Sequence, residues 1–513
     1  MFSQELPAIL KTLDLARAPV PRADLDAAAP SRHLKSPPLS ERMENPAAYR
    51  LLQEKRRRDL EALVLSRSPA APARALDLIC AISEESSWAA DAEMPFEDAD
   101  RPSIDLQAAD TAALFGWTLR ALGGQLDRIG PGIRERMAHE VDRRVLGPLL
   151  SHDDYICSVA ALCSAATALL FLERDPDRLS ASLRVLLRML DATYACAEAL
   201  LEPLPDRLRD ATAIADFALM MKRLTAGAAD LTRDVPYASW LDELLFSHIY
   251  DEWFVNCAGP SLRPGLSGQA LFRLGRLAGD GALRSLGASL HRARAIPSPT
   301  VAGRLFDPRH LDALEAELSP APRLKNAALE DGRVLVARGA GFALSLTSGG
   351  NRGNVGDIAV FLDNVPVLTS GNLPLPQLQK PAFAPAPDWD FSEPDRAIMG
   401  VDVTPAYPAE MRVRAHQRTL VLSRQEYGAQ LVDVFDLAQP RDIRYQLHTP
   451  FRPEFFEGGA RLGPMLVRWE GRPEADARRL DPDADFPDGQ WELALLYPGA
   501  SQRAMYTFFM RHA

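Results

Sequence analysis

The sequence predicts an α+β multidomain protein, a helical half followed by an antiparallel β half, and three observations carry that expectation. Apolar residues recur three and four apart through most segments between Tyr49 and about Leu318, the period of amphipathic helices. Beyond about Pro320 the apolar runs become short, β-branched or aromatic, and partly alternating, which is the texture of strands. The composition, 47% hydrophobic and 25% charged, is ordinary globular usage and excludes a disordered, collagenous or low-complexity chain. At roughly 150 residues per domain, 513 residues make about three units, a length that two larger domains also satisfy.

Residues 1–45 are rich in Pro and Ala and contain KSPPLSER, so they read as a loosely packed lead-in arm. The helical domain is placed at 46–318. Within it Leu106, Ala109, Ala113, Trp117 and Ala121 form one stripe, which Gly123-Gly124 is expected to end. Ile133, Met137, Val141 and Val145 form a second stripe. Further stripes at about 156–172, 178–200, 206–226, 238–249, 266–278 and 281–293 are separated by short loops, the pattern of helical hairpins. The β domain is placed at 319–513, on runs such as RVLVARG, FALSLTS, RTLVLSR, IRYQLHT and AMYTFFM. Nine prolines in the 43 residues from Pro366 to Pro408 are too many for central strands and imply a long surface excursion. A cleft between a helical and a β domain is the default place for a ligand.

Fifty-eight basic against 69 acidic residues leave a net charge of −11, which disfavours nucleic acid and anionic lipid as partners. No run approaches the ~18 apolar residues of a membrane span, and MFSQELPAILKTLDLARAPVPRAD has no basic region followed by an apolar core. The chain therefore reads as cytoplasmic, with the periplasm as the alternative. Cys80, Cys157, Cys163, Cys196 and Cys257 show no metal-ligand spacing and are expected to be buried thiols. The nine histidines form no HxH, HExxH or HxxxH. GNRGNVG lies between strands with no helix after it, so neither a nucleotide-phosphate loop nor a dinucleotide fingerprint fits, and no cofactor is expected. Composition is silent on self-association, and a homo-oligomer stays open.

Several longer phrases resemble the heparinase II/III-like polysaccharide lyase family, from about Tyr49 to the C-terminus. They are ICAISEESSW, RPSIDLQAADTAALFGWTLRALGGQLD, HIYDEWFVNCAG with GQALFRLGRLAGDGALRSLG, SGGNRGNVGDIAVFLDNVPVL, and TPAYPAEMRVRAHQRTLVLSR. The resemblance implies an N-terminal incomplete (α/α) toroid, a C-terminal antiparallel β-sandwich-like domain, and an anionic poly- or oligosaccharide such as a glycosaminoglycan or alginate bound between them. It also implies a carbon–oxygen lyase. Such enzymes take the C5 proton of a uronate and expel the C4 glycosidic oxygen. They need a base, an acid for the leaving oxygen, and a donor that neutralises the carboxylate as charge builds.

This chain departs from the family at those positions. The loop GG-HNAESHNHNDVGNF is shortened to Gly349-Gly350-Asn351-Arg352-Gly353-Asn354-Val355-Gly356-Asp357-Ile358. Positions that hold zinc in some members fall on Gly350, Arg352 and Ser370, so no metal held that way is expected. EESxWxxPAH becomes Glu84-Glu85-Ser86-Ser87-Trp88 with Glu93 in place of His, and the amide-rich NNWxPVCN becomes Ser151-His152-Asp153-Asp154-Tyr155-Ile156-Cys157-Ser158. The EGPGYW tyrosine has no counterpart, and Asp206 or Arg207 falls nearby.

Each candidate carries two readings. Arg352 clamps a uronate carboxylate or sulfate, or makes a solvated loop ion pair. His152 and Tyr155 form a relocated acid/base pair, or start and pack a helix. Glu84, Glu85 and Trp88 form a sugar platform, with Glu93, Asn351 and Asn354 as further substrate contacts, or cap and pack a helix end. Trp253, Phe254 and Asn256 read as toroid packing, and His248, His416 and Tyr407 as core or surface residues. The two functions that follow are a lyase using a displaced base, and a catalytically inactive scaffold that binds a glycan or a protein.

Overall fold

The computed structural model describes residues 2–21, 34–90, 103–151, 157–199, 204–232, 237–255, 261–320, 325–328, 334–348, 355–371, 373–375 and 387–513. The chain forms two compact units. The first comprises Met1–Leu200, Asp206–Trp240 and Ser267–Pro320; the second comprises Leu201–Pro205, Leu241–Leu266 and Ala321–Ala513.

The helices, in chain order, are α1 Leu6–Thr12, α2 Leu39–Glu44, α3 Pro46–Leu65, α4 Ala71–Ser83, α5 Leu106–Ile129, α6 Ile133–Val141, α7 Gly147–Ser151 and α8 Val159–Leu172. They continue with α9 Pro176–Ala199, α10 Leu204–Leu224, α11 Tyr237–Ser247, α12 Gly268–Ala278, α13 Gly281–Ala293, α14 Val301–Phe306 and α15 Leu311–Glu315. Their starts follow local chemistry. The side chains of Asn45, Asp105, Ser158, Ser267, Asp280 and Thr300 each accept a hydrogen bond from a first-turn amide of the helix they precede. Helix α5 buries Ala109, Ala113 and Trp117 along one stripe and packs on α8.

Gly123-Gly124 does not end α5, which runs on to Ile129 and stops before Gly130. A Cβ at position 123 would sit 2.7 Å from the Arg134 guanidinium, so this glycine makes room for a packed side chain, and tertiary packing offsets the roughly 1 kcal/mol of helix propensity each glycine loses. The first residues of the lead-in, Phe2–Thr12, are packed more closely than a loose arm. Phe2 and Ile9 are fully buried, and the Asp191 carboxylate accepts from the Phe2 and Ser3 amides at 2.6 and 3.0 Å.

The strands are β1 His248–Tyr250, β2 Trp253–Phe254, β3 Asn326–Ala328, β4 Val334–Gly339, β5 Phe342–Thr347, β6 Ile358–Leu362, β7 Val365–Leu368, β8 Ser370–Gly371, β9 Pro387–Asp390 and β10 Arg396–Asp402. They continue with β11 Val413–Ser423, β12 Gly428–Leu437, β13 Arg441–Thr449, β14 Glu454–Phe456, β15 Gly459–Leu462, β16 Met465–Trp469, β17 Glu474–Arg479, β18 Trp491–Ala500 and β19 Arg503–His512. Pairing is antiparallel throughout, in sheets ordered β14-β15-β16-β19-β12-β11-β10-β9, β17-β18-β13-β8 and β3-β4-β5-β6-β7, with β1-β2 as a separate ribbon. The core gathers Leu335, Leu344 and Val360 with Leu420, Leu431, Phe435, Tyr445 and Leu493.

Two boundary expectations change. HIYDEWF leaves the helical unit, because Ile249 and Val255 pack on Val334, Val336 and Phe361, the second face of the five-stranded sheet. That sheet is therefore buried on both sides, which explains its unbroken apolar runs. Phe254 and Trp253 accordingly serve the β unit and not the helices; Asn256 lies outside the described residues. The Pro-rich stretch is not all excursion, since β9 and β10 fall within it, with Pro387 at the start of the sheet's edge strand.

Candidate functional site

The helical unit carries an open cavity of about 700 Å³ between the first half of α5, the middle of α3 and the Pro297–Arg304 segment. Its polar walls are Glu54, Arg57, Arg58, Glu61, Gln107 and Asp110 together with Arg304. The arginines are already engaged. Arg58 pairs with Glu54 at 2.9 Å, Arg304 grips both oxygens of Glu61 at 2.8–3.1 Å, and Arg57 donates to Glu85 at 2.9 Å and to Thr111 at 2.6 Å.

Asp110 differs from the other acids in this wall. Its carboxylate accepts from the Ser164 hydroxyl of α8 at 2.7 Å. Burial pushes its pKa up to about 6, against the opposing pull of the Arg304 charge and of that hydrogen bond. A carboxyl poised there can both hold and release a proton near neutral pH.

The shift has a stability consequence of definite sign. A raised carboxyl pKa means that the folded chain holds the proton more tightly than the unfolded one. The resulting stability is complete below 3.8 and lost as pH rises through about 6. Asp110→Asn removes the ionisation and keeps an acceptor for Ser164. The variant is expected to melt a few degrees above the parent at pH 8, with the gap closing as pH falls towards 4. Thermal melts across that range check it, and a pH-independent gap would refute it.

The residues assigned to a sugar platform have other work. Trp88 has no exposed face: its indole Nε1 donates to the Ile82 carbonyl at 2.9 Å, Phe115 meets it edge-on at 5.3 Å, and the Arg144 guanidinium lies over its ring at 5.0 Å. Glu85 is 1% exposed and holds Arg56 at 3.0 Å and Arg57 at 2.9 Å. Of the three, Glu84 alone is exposed, just past the end of α4. The packing reading is the one this geometry supports for Glu85 and Trp88. Cys157 and Cys163 are buried, but Cys80 is exposed, because Leu78, Ile79 and Ile82 take the inward face of α4.

A second polar cluster lies within the β unit. Adjacent strands place Arg418 of β11 directly opposite Asp433 of β12, and the guanidinium donates to both carboxylate oxygens at 2.9 Å. His416, two residues along the same strand face, lies 3.0 Å from Asp433 through Nε2 and 2.7 Å from the Tyr407 hydroxyl through Nδ1. A carboxylate only accepts, so Nε2 carries the proton and Tyr407 donates to Nδ1. Burial lowers the His416 pKa despite Asp433, leaving the ring neutral. Burial raises the Asp433 carboxyl, but the Arg418 charge, with the hydrogen bonds from His416 and Arg418, outweighs it and holds the pKa well below the usual range.

The same guanidinium donates from Nη1 to the Gly356 and Gly371 carbonyls, both at 2.7 Å. Asp357 completes the tie, accepting from the Ser370 hydroxyl at 2.9 Å and the Gly371 amide at 2.8 Å. These residues flank the shortened loop. They do not fit a zinc ion: Ser370 is spent on Asp357, a guanidinium already bridges the strand ends, and among the described residues no three His, Cys, Asp or Glu side chains converge on one point. Sequence reasoning missed Arg418 and Asp433. The available signal was that His416 and Arg418 share their strand parity with the apolar Leu420 and Leu422, which places both polar side chains inward.

His152, Tyr155, Glu93, Asn351, Arg352 and Asn354 lie outside the described residues. His248 is buried, with Nε2 3.0 Å from the Asp251 carbonyl. Among the described helices none is long and apolar enough to cross a membrane.

No protein-family model and no curated protein matches the sequence. Solved structures do match the fold. Heparinase III superimposes with a TM-score of 0.58 at 9% identity, covering 100% of this chain and 84% of its own. Chondroitin AC lyase from Streptomyces coelicolor A3, in complex with chondroitin sulphate, superimposes with a TM-score of 0.55 at 12% identity, covering 100% of this chain and 78% of its own. The chain thus has a polysaccharide lyase fold, an (α/α) toroid followed by an antiparallel β domain. At this identity the likeness is one of fold.

Proposed function

We propose that the chain is a polysaccharide lyase-like protein that takes a uronate-containing poly- or oligosaccharide and cleaves it by β-elimination. The observation that carries this reading is the fold likeness along the whole chain to two lyases of anionic polysaccharides. In the proposed reaction a base removes the C5 proton, the electron pair forms the C4–C5 double bond, and the C4–oxygen bond breaks with a proton passing to the departing oxygen. Tyr155 or His152 serves as the base and Arg352 neutralises the carboxylate. Asp110, with a pKa of about 6 in the wall of the large cavity, exchanges a proton at the leaving oxygen.

Ultraviolet absorbance of reactions with a panel of uronate polymers and oligosaccharides tests it, because elimination leaves a conjugated unsaturated uronate and hydrolysis does not. A rise is expected. Arg352→Ala should then lower turnover about a hundredfold, the scale of losing one charge-stabilising donor. A flat trace across the panel from folded protein would overturn the lyase reading.

One observation favours the second reading, a glycan- or protein-binding scaffold without catalysis. Arg57, Arg58 and Arg304 each already hold a carboxylate of the chain itself, so the cavity wall offers an incoming anion little uncommitted charge. Binding of an oligosaccharide without new absorbance would support the scaffold.

A further inference from the structure

The outward face of the eight-stranded sheet is apolar at its centre. Inward positions such as Leu420, Leu431, Phe508 and Val467 are buried in the core, so the alternate positions of the same strands point away from it. Those outward positions carry Ile398, Val432, Val434, Met505, Phe509 and Leu466. Val434 and Met505 are paired directly across β12 and β19 and are 45% and 60% exposed. Their strands are the fourth and fifth of the eight, so this apolar pair occupies the middle of the face. A water-facing sheet normally places polar residues there.

Charge on the same face is divided between its ends. Asp388 and Asp390 of β9 and Asp402 of β10 lie at one end; Arg461 of β15, Arg468 of β16 and Arg511 of β19 lie towards the other, and all six are exposed. None of the six makes an ion pair with another described residue. Arg396 on β10 offsets one of the acids and Glu454 on β14 one of the arginines, which leaves two net charges of each sign on these strands. Asp436, by contrast, is already matched, with Arg414 at 3.6 Å and Arg503 at 3.7 Å.

A face with opposite charges at its ends and an apolar middle is complementary to itself. A two-fold axis running along the strands between β12 and β19 turns the strand order end for end. It sets β9 and β10 of one copy over β15 and β16 of the other, and Val434 of each copy over Met505 of the other. A partner of a single charge sign satisfies only one end, so the arrangement selects a second copy. The size agrees. Strands about 4.8 Å apart, eight in number and about seven residues long at ~3.3 Å per residue, make a face of roughly 700 Å². Each partner in a standard interface buries about 800 Å². We propose that the chain forms a two-fold dimer through this face, its two sheets packed in the aligned manner of a β-sandwich. The dimer is independent of the elimination reading, since no residue named for it lines the large cavity.

Sedimentation velocity of the full chain from 1 to 100 µM at low salt tests this. A concentration-dependent shift from 56.3 kDa to twice that mass is expected, weakened by added salt. Val434→Arg places an unmatched charge at the centre of the interface and should weaken association about a hundredfold or more. Arg461→Glu with Arg468→Glu makes both ends acidic and should weaken it about tenfold, and adding Asp388→Lys with Asp390→Lys reverses the other end and should restore it. Every substituted side chain is exposed, so circular dichroism and melting point should stay near parental. A monomer at every concentration would leave the face to a different partner and overturn the proposal. So would a dimer as tight in Val434→Arg as in the parent, or one that the second reversal does not restore.

Discussion

Glu85→Ala is expected to lower the stability of the helical unit by about 3–5 kcal/mol, a large share of the stability of an ordinary domain. The carboxylate accepts from Arg56 Nη1 at 3.0 Å, Arg57 Nη2 at 2.9 Å and Gln53 Nε2 at 3.2 Å, all in the interior. Removing it takes this carboxylate away from two buried guanidiniums, and the cost of burying those charges then falls more heavily on the fold. The damage spreads, because Arg56 also donates to the Leu34 carbonyl and the Ser36 hydroxyl at 3.0 and 2.9 Å. That arginine fastens the segment before α2 to α3.

Circular dichroism during urea unfolding measures the loss. Glu85→Gln, which keeps the shape and one acceptor, should fall between parent and Glu85→Ala. A sugar-binding carboxylate would behave differently, leaving the melting point near parental and weakening ligand binding alone. The experiment therefore separates the two roles that the sequence assigns to this residue.

The reason Glu85 reads as a site residue is local. Two acids beside a tryptophan resemble a pyranose platform, and nothing within EESSW reveals that both arginines come from α3. Yet α3 does carry a signal. Gln53, Arg56, Arg57 and Leu60 are spaced i, i+3, i+4 and i+7, one helix face, and all four are buried. A polar helix face that must be buried demands a buried acid. The same logic applies to His416 and Arg418 on alternate residues of β11, with Asp433 opposite on β12. In both cases the period locates the charges, while the partner depends on long-range pairing that local spacing does not encode.

Element types were legible wherever periodicity ran long, as in the stripe from Leu106 to Ala121 and the alternating run of β11. They were less so at HIYDEWF, where a short aromatic run follows a helical stripe without a breaker. Its strand state depends on a sheet face supplied by Val334, Val336 and Phe361, about 90 residues later. The (α/α) toroid came from the family resemblance rather than from period alone, because helical hairpins of this spacing also build bundles and solenoids.

Asp110→Asn should lower elimination turnover by about 10²–10⁴-fold if the lyase reading holds, the range for losing a positioned proton-transfer group. Asparagine retains an acceptor for Ser164 but cannot exchange a proton, so the substitution tests chemistry more than shape. Steady-state rates on whichever polymer shows new absorbance, measured from pH 5 to 9, provide the comparison. With Asp110 as the acid for the leaving oxygen, parental turnover should decline as pH rises through about 6, and that limb should vanish in the variant. The stability effect runs the other way, since removing a buried ionisable carboxyl should raise the melting point at pH 8. Faster melting together with slower turnover would mark a merely structural carboxylate whose loss damages the fold. Higher stability with lost activity is the signature of a group whose strained ionisation serves the reaction. Unchanged turnover would remove Asp110 from the chemistry and leave the proton transfers to His152 and Tyr155.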